Sequence, residues 1–228
     1  MRASASLLGW LLPPATVLVI IMVAVLTLMT PSWMHWAIGA AGGTLPRETP
    51  EVAYLVSDRT VSEMLLGPGT FHINGCSDLH KGCVSFIEGV YTPDEAAHLR
   101  DARLVLYLFL GLALVSAAFI AAALLRAPRD ARRWRAVARG GSVLAIAVVL
   151  LGVVGALAFD AAFELFHRVF FPGGNWAFAA DSNMIRLYPY PFWQLTVVAL
   201  GVLCLLFGAV VWWVGRRQAR RLEANMAR

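Results

Sequence analysis

The sequence predicts an all-α membrane protein: four transmembrane helices with a small β-containing extracytoplasmic cap between helices one and two. Three observations predict it. Of 228 residues, 59% are hydrophobic and only 14% charged, whereas a soluble domain carries about a quarter charged residues. Four apolar stretches each reach the roughly 20 residues that a helix needs to cross the hydrocarbon core. The positive charge lies beside those stretches rather than along a nucleic-acid-binding face.

The spans are Leu7–Met29, Leu104–Leu125, Gly141–Ala162 and Phe192–Val214. No Lys, Arg, Asp or Glu interrupts the first, second or fourth, and Asp160 touches only the end of the third. Arg126, Arg129, Arg132, Arg133, Arg135 and Arg139 fall between helices two and three, and Arg216, Arg217, Arg220 and Arg221 follow helix four. The positive-inside rule assigns both basic segments, and with them both termini, to the cytoplasm. The acidic stretch Thr30–Asp101 agrees by falling outside. A cleaved signal peptide is the alternative reading of the first span. That span is long for a signal core, and an even helix count keeps both basic segments inside, so retention is favoured.

The chain divides as a single membrane domain. Helix one covers residues 7–29, the outer cap 30–102, and helix two 104–125. A basic cytoplasmic loop follows at 126–140, then helix three at 141–162 and an outer loop at 163–191. Helix four covers 192–214 and a cytoplasmic tail 215–228. The cap is long for a connection, and long loops are usually functional or disordered. Val52–Val56 and Val84–Val90 read as its strands, with turn signals at Gly67-Pro68-Gly69 and Asn74-Gly75 between them. In the second outer segment Trp176, Tyr188, Tyr190 and Trp193 suit the headgroup level of a membrane.

Cys76 and Cys83 lie in the cap, where an oxidising compartment favours a disulfide. Closing so short a loop would contribute about 2.5 kcal/mol on the chain-entropy account. A zinc site built from His72, Cys76, His80 and Cys83 is the less favoured alternative, and no metal or organic cofactor is expected. Cys204, in mid-helix, reads as an inert apolar residue. His72 and His80 read as solvated loop residues, and His35, between Trp33 and Trp36, as part of an aromatic belt.

Two histidines stand out. Thr92-Pro93-Asp94-Glu95 reads as a helix start, with Thr92 as N-cap and Glu95 closing a capping box. That helix carries His98 just above the second span, with Asp94 and Asp101 on its face. His167 follows the third span, with Glu164 and Asp160 on its own helical face. If both helices run unbroken, His98 and His167 each stand about 40 Å from the inner edge. Each alone could be an interfacial anchor. Matched depth and flanking carboxylates favour function. Arg168 and Arg186 suit either headgroup anchoring or neutralising an anion, and Asp160 is either solvated or functional.

The run Phe166-His167-Arg168-Val169-Phe170-Phe171-Pro172, followed by Trp176-Ala177-Phe178, Ile185-Arg186-Leu187-Tyr188-Pro189 and Phe192-Trp193, resembles the signature of the lipoprotein intramolecular transacylases (Lit). Asp94-Glu95 and His98-Leu99-Arg100-Asp101-Ala102-Arg103 resemble that family's acidic-His-x-x-Asp element, with Leu99 and Ala102 where Met and Val are commoner. The Cys76–Cys83 loop is an addition. The resemblance implies transfer of an acyl chain from the glyceryl sn-2 ester of a diacylglyceryl lipoprotein to the α-amino group of its N-terminal cysteine, leaving a lyso-form lipoprotein. It implies a bacterial cytoplasmic membrane enzyme working at the outer face, on lipoproteins and among membrane lipid, with no nucleic acid. His98 and His167 are then the catalytic pair, supported by Asp101, Asp160, Glu164 and Arg186. Phe170, Trp176, Tyr188 and Trp193 would contact substrate. A non-catalytic envelope protein that binds or helps assemble lipoproteins is the second reading. A small transporter is disfavoured, because no charge sits near the midplane of any span.

Overall fold

The computed structural model describes residues 2–46, 48–73, 75–76, 86–87 and 89–226. Among them the chain runs α1 (Arg2–Leu28), α2 (Pro31–Ala41), α3 (Pro50–Leu65), β1 (Gly75–Cys76), β2 (Phe86–Ile87), α4 (Pro93–Arg126), α5 (Ala131–Leu157), α6 (Phe159–Phe170), α7 (Asn183–Leu187) and α8 (Tyr190–Met226). Four helices, α1, α4, α5 and α8, are long and apolar enough to cross a membrane, and the chain is a multi-pass membrane protein. It forms two compact units. One comprises Met1–Leu26, Leu108–Leu157 and Val198–Arg228, and the other Thr27–Tyr107 and Ala158–Val197.

The first unit holds the apolar lengths of the four long helices. Its interior mixes small side chains with a few large ones: Ala24, Ala136 and Leu12 are fully buried, and Ala123, Ala138, Cys204, Ile20 and Leu144 nearly so. Leu112, Leu114, Ile146, Leu150 and Val202 are at least half exposed. This distribution suits lipid. Hydrocarbon solvates leucine as well as a protein interior does, so helices associate through close packing of small residues instead. Glycines mark the tightest approaches. A Cβ on Gly141 of α5 would stand 2.4 Å from the Gly208 carbonyl oxygen of α8, and one on Gly140 would stand 2.8 Å from that of Pro13 in α1.

Helix α1 contains Pro13 and Pro14. Proline has no N–H to donate four residues back, so Pro13 leaves the Gly9 carbonyl without its helical donor. The Arg139 guanidinium supplies one, at 3.1 Å. Arg133 likewise donates to the Ala123 carbonyl in the last turns of α4, where carbonyls lack intrahelical partners. The expected basic loop 126–140 is therefore mostly helix. Only Ala127–Asp130 connects α4 to α5, and the Asp130 carboxylate accepts the Arg132 amide at 2.9 Å, as an N-cap does.

The second unit is helical where a β-containing cap was expected. Val52–Val56 lies inside α3. The five-residue window resembles a strand, but Val52, Ala53, Val56, Ser57 and Thr60 are the buried positions of α3, and their spacing is that of one helical face. Pro50 opens that helix at its first turn. Of Val84–Val90, only Phe86–Ile87 is strand among the described residues, paired antiparallel with Gly75–Cys76. Ile38, Val52, Val56, Phe71, Val90 and Leu187 form the unit's core. Within it Thr60 bonds Tyr91 at 2.9 Å and the Tyr188 hydroxyl donates to Ser57 at 3.3 Å. Burial pushes both phenols above the usual tyrosine range, so they remain neutral donors.

The glycine contacts yield a test. Gly141→Leu forces α5 and α8 apart at their closest point and should cost about 1–3 kcal/mol, read as a lower melting temperature in detergent. Gly152→Leu adds its side chain where no atom lies within 4 Å and should leave melting unchanged. Equal melting of the two variants would remove close glycine packing as the reason these helices associate.

Candidate active site

The site assembles in the second unit from the start of α4 and from α6 with the segment that follows it. The capping box at the head of α4 is present: the Thr92 hydroxyl accepts the Glu95 amide at 3.2 Å, and the Glu95 carboxylate accepts the Thr92 amide at 2.7 Å. Glu95 does more than the sequence disclosed. It is 1% exposed, and its other oxygen accepts the Met184 amide of α7 at 2.9 Å. A buried carboxylate is tolerable only when so satisfied, and satisfying it joins α4 to a segment 89 residues away. The Asn183 side chain adds a bond to the Val90 carbonyl, 2.7 Å. These contacts fix the turn of α4 that presents His98.

His167 is set by α6. The third span does not continue unbroken to it, because α5 ends at Leu157 and Ala158 leaves helical geometry at φ −150°, ψ 51°. The equal-depth arithmetic therefore does not describe how the histidines meet. Within α6, Phe163, Phe166, His167 and Phe170 recur at the spacing of one helical face. The Phe163 ring lies 4.1 Å from the imidazole of His167 and that of Phe166 5.3 Å. After α6, Gly174 takes a left-handed conformation, φ 76°, which a side chain would strain. The chain turns there, bringing Trp176 to 5.0 Å from His167.

The two imidazoles stack at 6.0 Å between centroids, with planes 25° apart. Phe171 touches both, at 4.6 Å from His98 and 5.6 Å from His167, and Phe178 borders His98 at 5.8 Å. The Nδ1 of His167 lies 2.7 Å from the Phe163 carbonyl oxygen. A carbonyl can only accept, so Nδ1 carries the proton and a neutral ring presents the lone pair of Nε2. Burial pushes His167 below its ordinary pKa, and the bond to Phe163 opposes that shift in part. The Nδ1 of His98 is buried with no hydrogen-bond partner among the described residues.

The other expected residues scatter. The carboxylates that were to orient His167 engage elsewhere: Glu164 pairs with Arg168 at 2.6 Å, and Asp160 accepts the Tyr190 hydroxyl. A backbone carbonyl holds the imidazole instead. Asp101, one turn after His98, accepts the Asn175 amide at 2.7 Å. Arg186 makes its described bonds through its backbone, to Ser182 and Thr44. Phe170 packs on Phe166 at 4.8 Å. Tyr188 is 6% exposed and belongs to the core, while Trp193 donates to the Tyr188 carbonyl at 3.1 Å. His35 is not simply one ring of an aromatic belt; it bonds Asp58 at 2.8 Å and stacks on Tyr54. His72 is exposed. His80 and Cys83 lie outside the described residues, as does the side chain of Cys76, and with them the disulfide and the zinc alternative. Phe171, Phe178 and Asn175 were not singled out as site residues. Their signal was present in the aromatic runs and in the adjacent Gly173-Gly174 turn.

Comparison with known proteins covers the stretch that holds these residues. Residues 85–193 match the family model for the lipoprotein intramolecular transacylase Lit. A curated, uncharacterized protein of Aquifex aeolicus (strain VF5) is 28% identical over 142 residues, 62% of this chain. The match spans 63% of that relative's length. The fold is that of the membrane integral lipoprotein intramolecular transacylase Lit from Bacillus cereus, at TM-score 0.75 and 14% identity, covering 98% of this chain and 100% of the other. Two further structures of that protein, with a histidine replaced by arginine or by alanine, align at TM-score 0.64 and 14% identity. They cover 100% and 98% of this chain, and 96% and 97% of theirs, respectively. The resemblance to the Lit family is thus shown over residues 85–193, the stretch that holds His98, His167 and the rings around them.

Proposed function

We propose that this chain is a lipoprotein intramolecular transacylase. In this reading it moves the acyl chain from the glyceryl sn-2 ester of a diacylglyceryl lipoprotein to the α-amino group of the same molecule's N-terminal cysteine. The observation that carries the proposal is the stacked His98–His167 pair within an aromatic surround. The matched family model supplies the reaction class. The arginine distribution, read by the positive-inside rule, supports both termini in the cytoplasm and the site at the outer face.

The chemistry follows from the geometry. An α-ammonium has a pKa near about 7.7–8.0, so a neutral imidazole removes its proton at modest cost. His167 acts as that base through Nε2, since Nδ1 is committed to the Phe163 carbonyl. The freed amine attacks the ester carbonyl carbon, the new C–N bond forms, and the bond to the glyceryl oxygen breaks. Entering as an ammonium, the amine yields two protons. The first goes to His167 and on to solvent before attack, the second leaves the adduct nitrogen for His167, and the glyceryl oxygen gains one, so one proton is released per transfer. Burial and the neighbouring His167 lower the His98 pKa to about 4, so His98 enters neutral and either relays the second proton from His167 to the departing oxygen or stabilises the oxyanion through its N–H. Amine and ester belong to one molecule, so holding them in reacting geometry lowers the barrier by several kcal/mol. Trp176 and the phenylalanines of α6 offer the apolar surface against which the acyl chains lie. Arg186 stays a candidate for neutralising developing charge.

The decisive measurement is mass spectrometry of lipoprotein N-termini after expression in a host lacking N-acylation. The expected product carries an N-acylated cysteine on a monoacylglyceryl lipid. Unchanged diacylglyceryl peptides, beside an active comparison enzyme, would leave only the non-catalytic lipoprotein-binding reading. His98→Ala and His167→Ala should each reduce conversion by at least about a hundredfold, the usual contribution of a general acid or base.

The neutral state of His167 has a separate signature. Its pKa is lower in the folded chain, so the unfolded chain binds that proton more readily. Stability is unaffected above about pH 6.5, the unfolded value, and falls as pH drops through that value towards the folded one. The wild-type melting temperature should therefore fall more steeply below about pH 6.5 than that of His167→Gln. Parallel curves would show that His167 is not held neutral by burial.

A further inference from the structure

A cavity of about 640 Å³ opens in the first unit, far in sequence from the histidine pair, lined by Gly9 and Trp10 of α1, residues 130–142 around the start of α5, and Trp212 and Arg216 of α8. Its wall combines two chemistries. Arg132, Arg133, Arg135, Arg139 and Arg216 line it, with Asp130 as the opposing charge. Trp10 is 80% exposed and Trp212 40%. Trp212 lies at the arginine-rich end of α8, and Trp10 follows Gly9, whose carbonyl Arg139 binds, a position that suits an interfacial aromatic belt.

Tracing each guanidinium separates structural arginines from the rest. Arg133 pairs with Asp130 at 3.4 Å and donates to the Ala123 carbonyl. Arg135 pairs with Glu223 at 2.9 Å. Arg139 gives one N–H to the Gly9 carbonyl that Pro13 orphans and meets no carboxylate among the described residues. Arg216 lies 5.4 Å from the Trp212 ring, and no ion pair is formed by Arg216 or Arg132 among the described residues. Five guanidinium charges less the carboxylates of Asp130 and Glu223 leave a surplus of three in one concavity. Stacking on tryptophan orients an arginine without neutralising it, which leaves its planar fork available to an anion.

We propose that this cavity binds the headgroup of an anionic phospholipid. Arg132, Arg139 and Arg216 hold the phosphate, while Trp10 and Trp212 flank the glycerol and the first methylenes of the acyl chains. A bidentate guanidinium suits a phosphate oxyanion better than a compact ammonium does. Basic pockets between transmembrane helices are a recognised way of binding anionic headgroups. The aromatic wall distinguishes a lipid from a soluble phosphate, which gains nothing from apolar surface.

The test uses the full chain in detergent, with binding read by native mass spectrometry and by the melting-temperature shift on adding phosphatidylglycerol or phosphatidylcholine. One phosphatidylglycerol should be retained per chain and raise the melting temperature, and phosphatidylcholine should do neither. Arg132→Gln combined with Arg216→Gln should weaken phosphatidylglycerol binding by more than about tenfold. Arg220→Gln combined with Arg221→Gln removes equal charge from outside the cavity and should leave binding intact. Equal retention of the two lipids, or equal loss in both double variants, overturns the site in favour of diffuse attraction to a basic helix end. Saturable binding of inorganic phosphate that phosphatidylglycerol does not displace overturns the lipid as its source. Should the first double variant fail to fold, Arg132→Lys, which keeps the charge and loses the fork, must still weaken retention several-fold. Unchanged retention there overturns the proposal equally.

Discussion

Every backbone N–H and carbonyl within the hydrocarbon needs a partner, and the segments that span it have only their own helices to supply one. That constraint explains why the apolar stretches are helices, and it also explains where their exceptions fall. The two prolines of α1 leave carbonyls without helical donors, and the Gly9 carbonyl finds Arg139. The last turns of α4 find Arg133. Each repair uses a guanidinium at the arginine-rich end, where water and headgroups lower the cost of a charge. Between the helices, close approach rests on bare glycine surfaces such as Gly141 against Gly208.

The second unit meets the same demand by burying polar groups in matched pairs. Glu95 is the instructive member. A carboxylate so enclosed has no water to turn to, and its two oxygens are taken by the amides of Thr92 and Met184. Removing it would leave the buried Met184 amide unsatisfied, at a cost of about 1–3 kcal/mol, and free the part-buried Thr92 amide. It would also release the first turn of α4, three residues before His98. Ser57, Thr60, Tyr91 and Tyr188 extend the pattern with hydroxyls. The histidines thus project from a framework pinned by these paired polar groups, with the Nδ1 of His167 held by the Phe163 carbonyl and its Nε2 left for another partner.

How legible all this was depended on the range of each signal. The four spans announce themselves because hydrophobicity over about 20 residues has few alternative explanations. The capping box was legible because its partners are three residues apart. Val52–Val56 misled because a short apolar run fits a strand and a helix equally, and only the longer spacing to Thr60 separates them. The bond from Glu95 to Met184 has no local signal at all, nor has the meeting of Asp101 with Asn175. The carboxylates at Asp160 and Glu164 share a face with His167 by spacing, yet spacing cannot reveal that Arg168 and Tyr190 hold them.

That last difference bears on the proposed chemistry. A carboxylate hydrogen-bonded to an imidazole stabilises its cation and raises its pKa. A backbone carbonyl orients the same nitrogen with less stabilisation of the charge, so burial prevails and His167 lies below its ordinary value. For a base that must meet an ammonium near neutral pH, this is a trade. A lower pKa weakens the pull on the proton but keeps the lone pair available through mildly acidic conditions. The amine then needs assistance beyond proton removal, which intramolecular delivery of the ester provides. A site built this way depends on positioning more than on basicity. The aromatic rings that crowd both histidines, Phe171 above all, are the groups that fix that position.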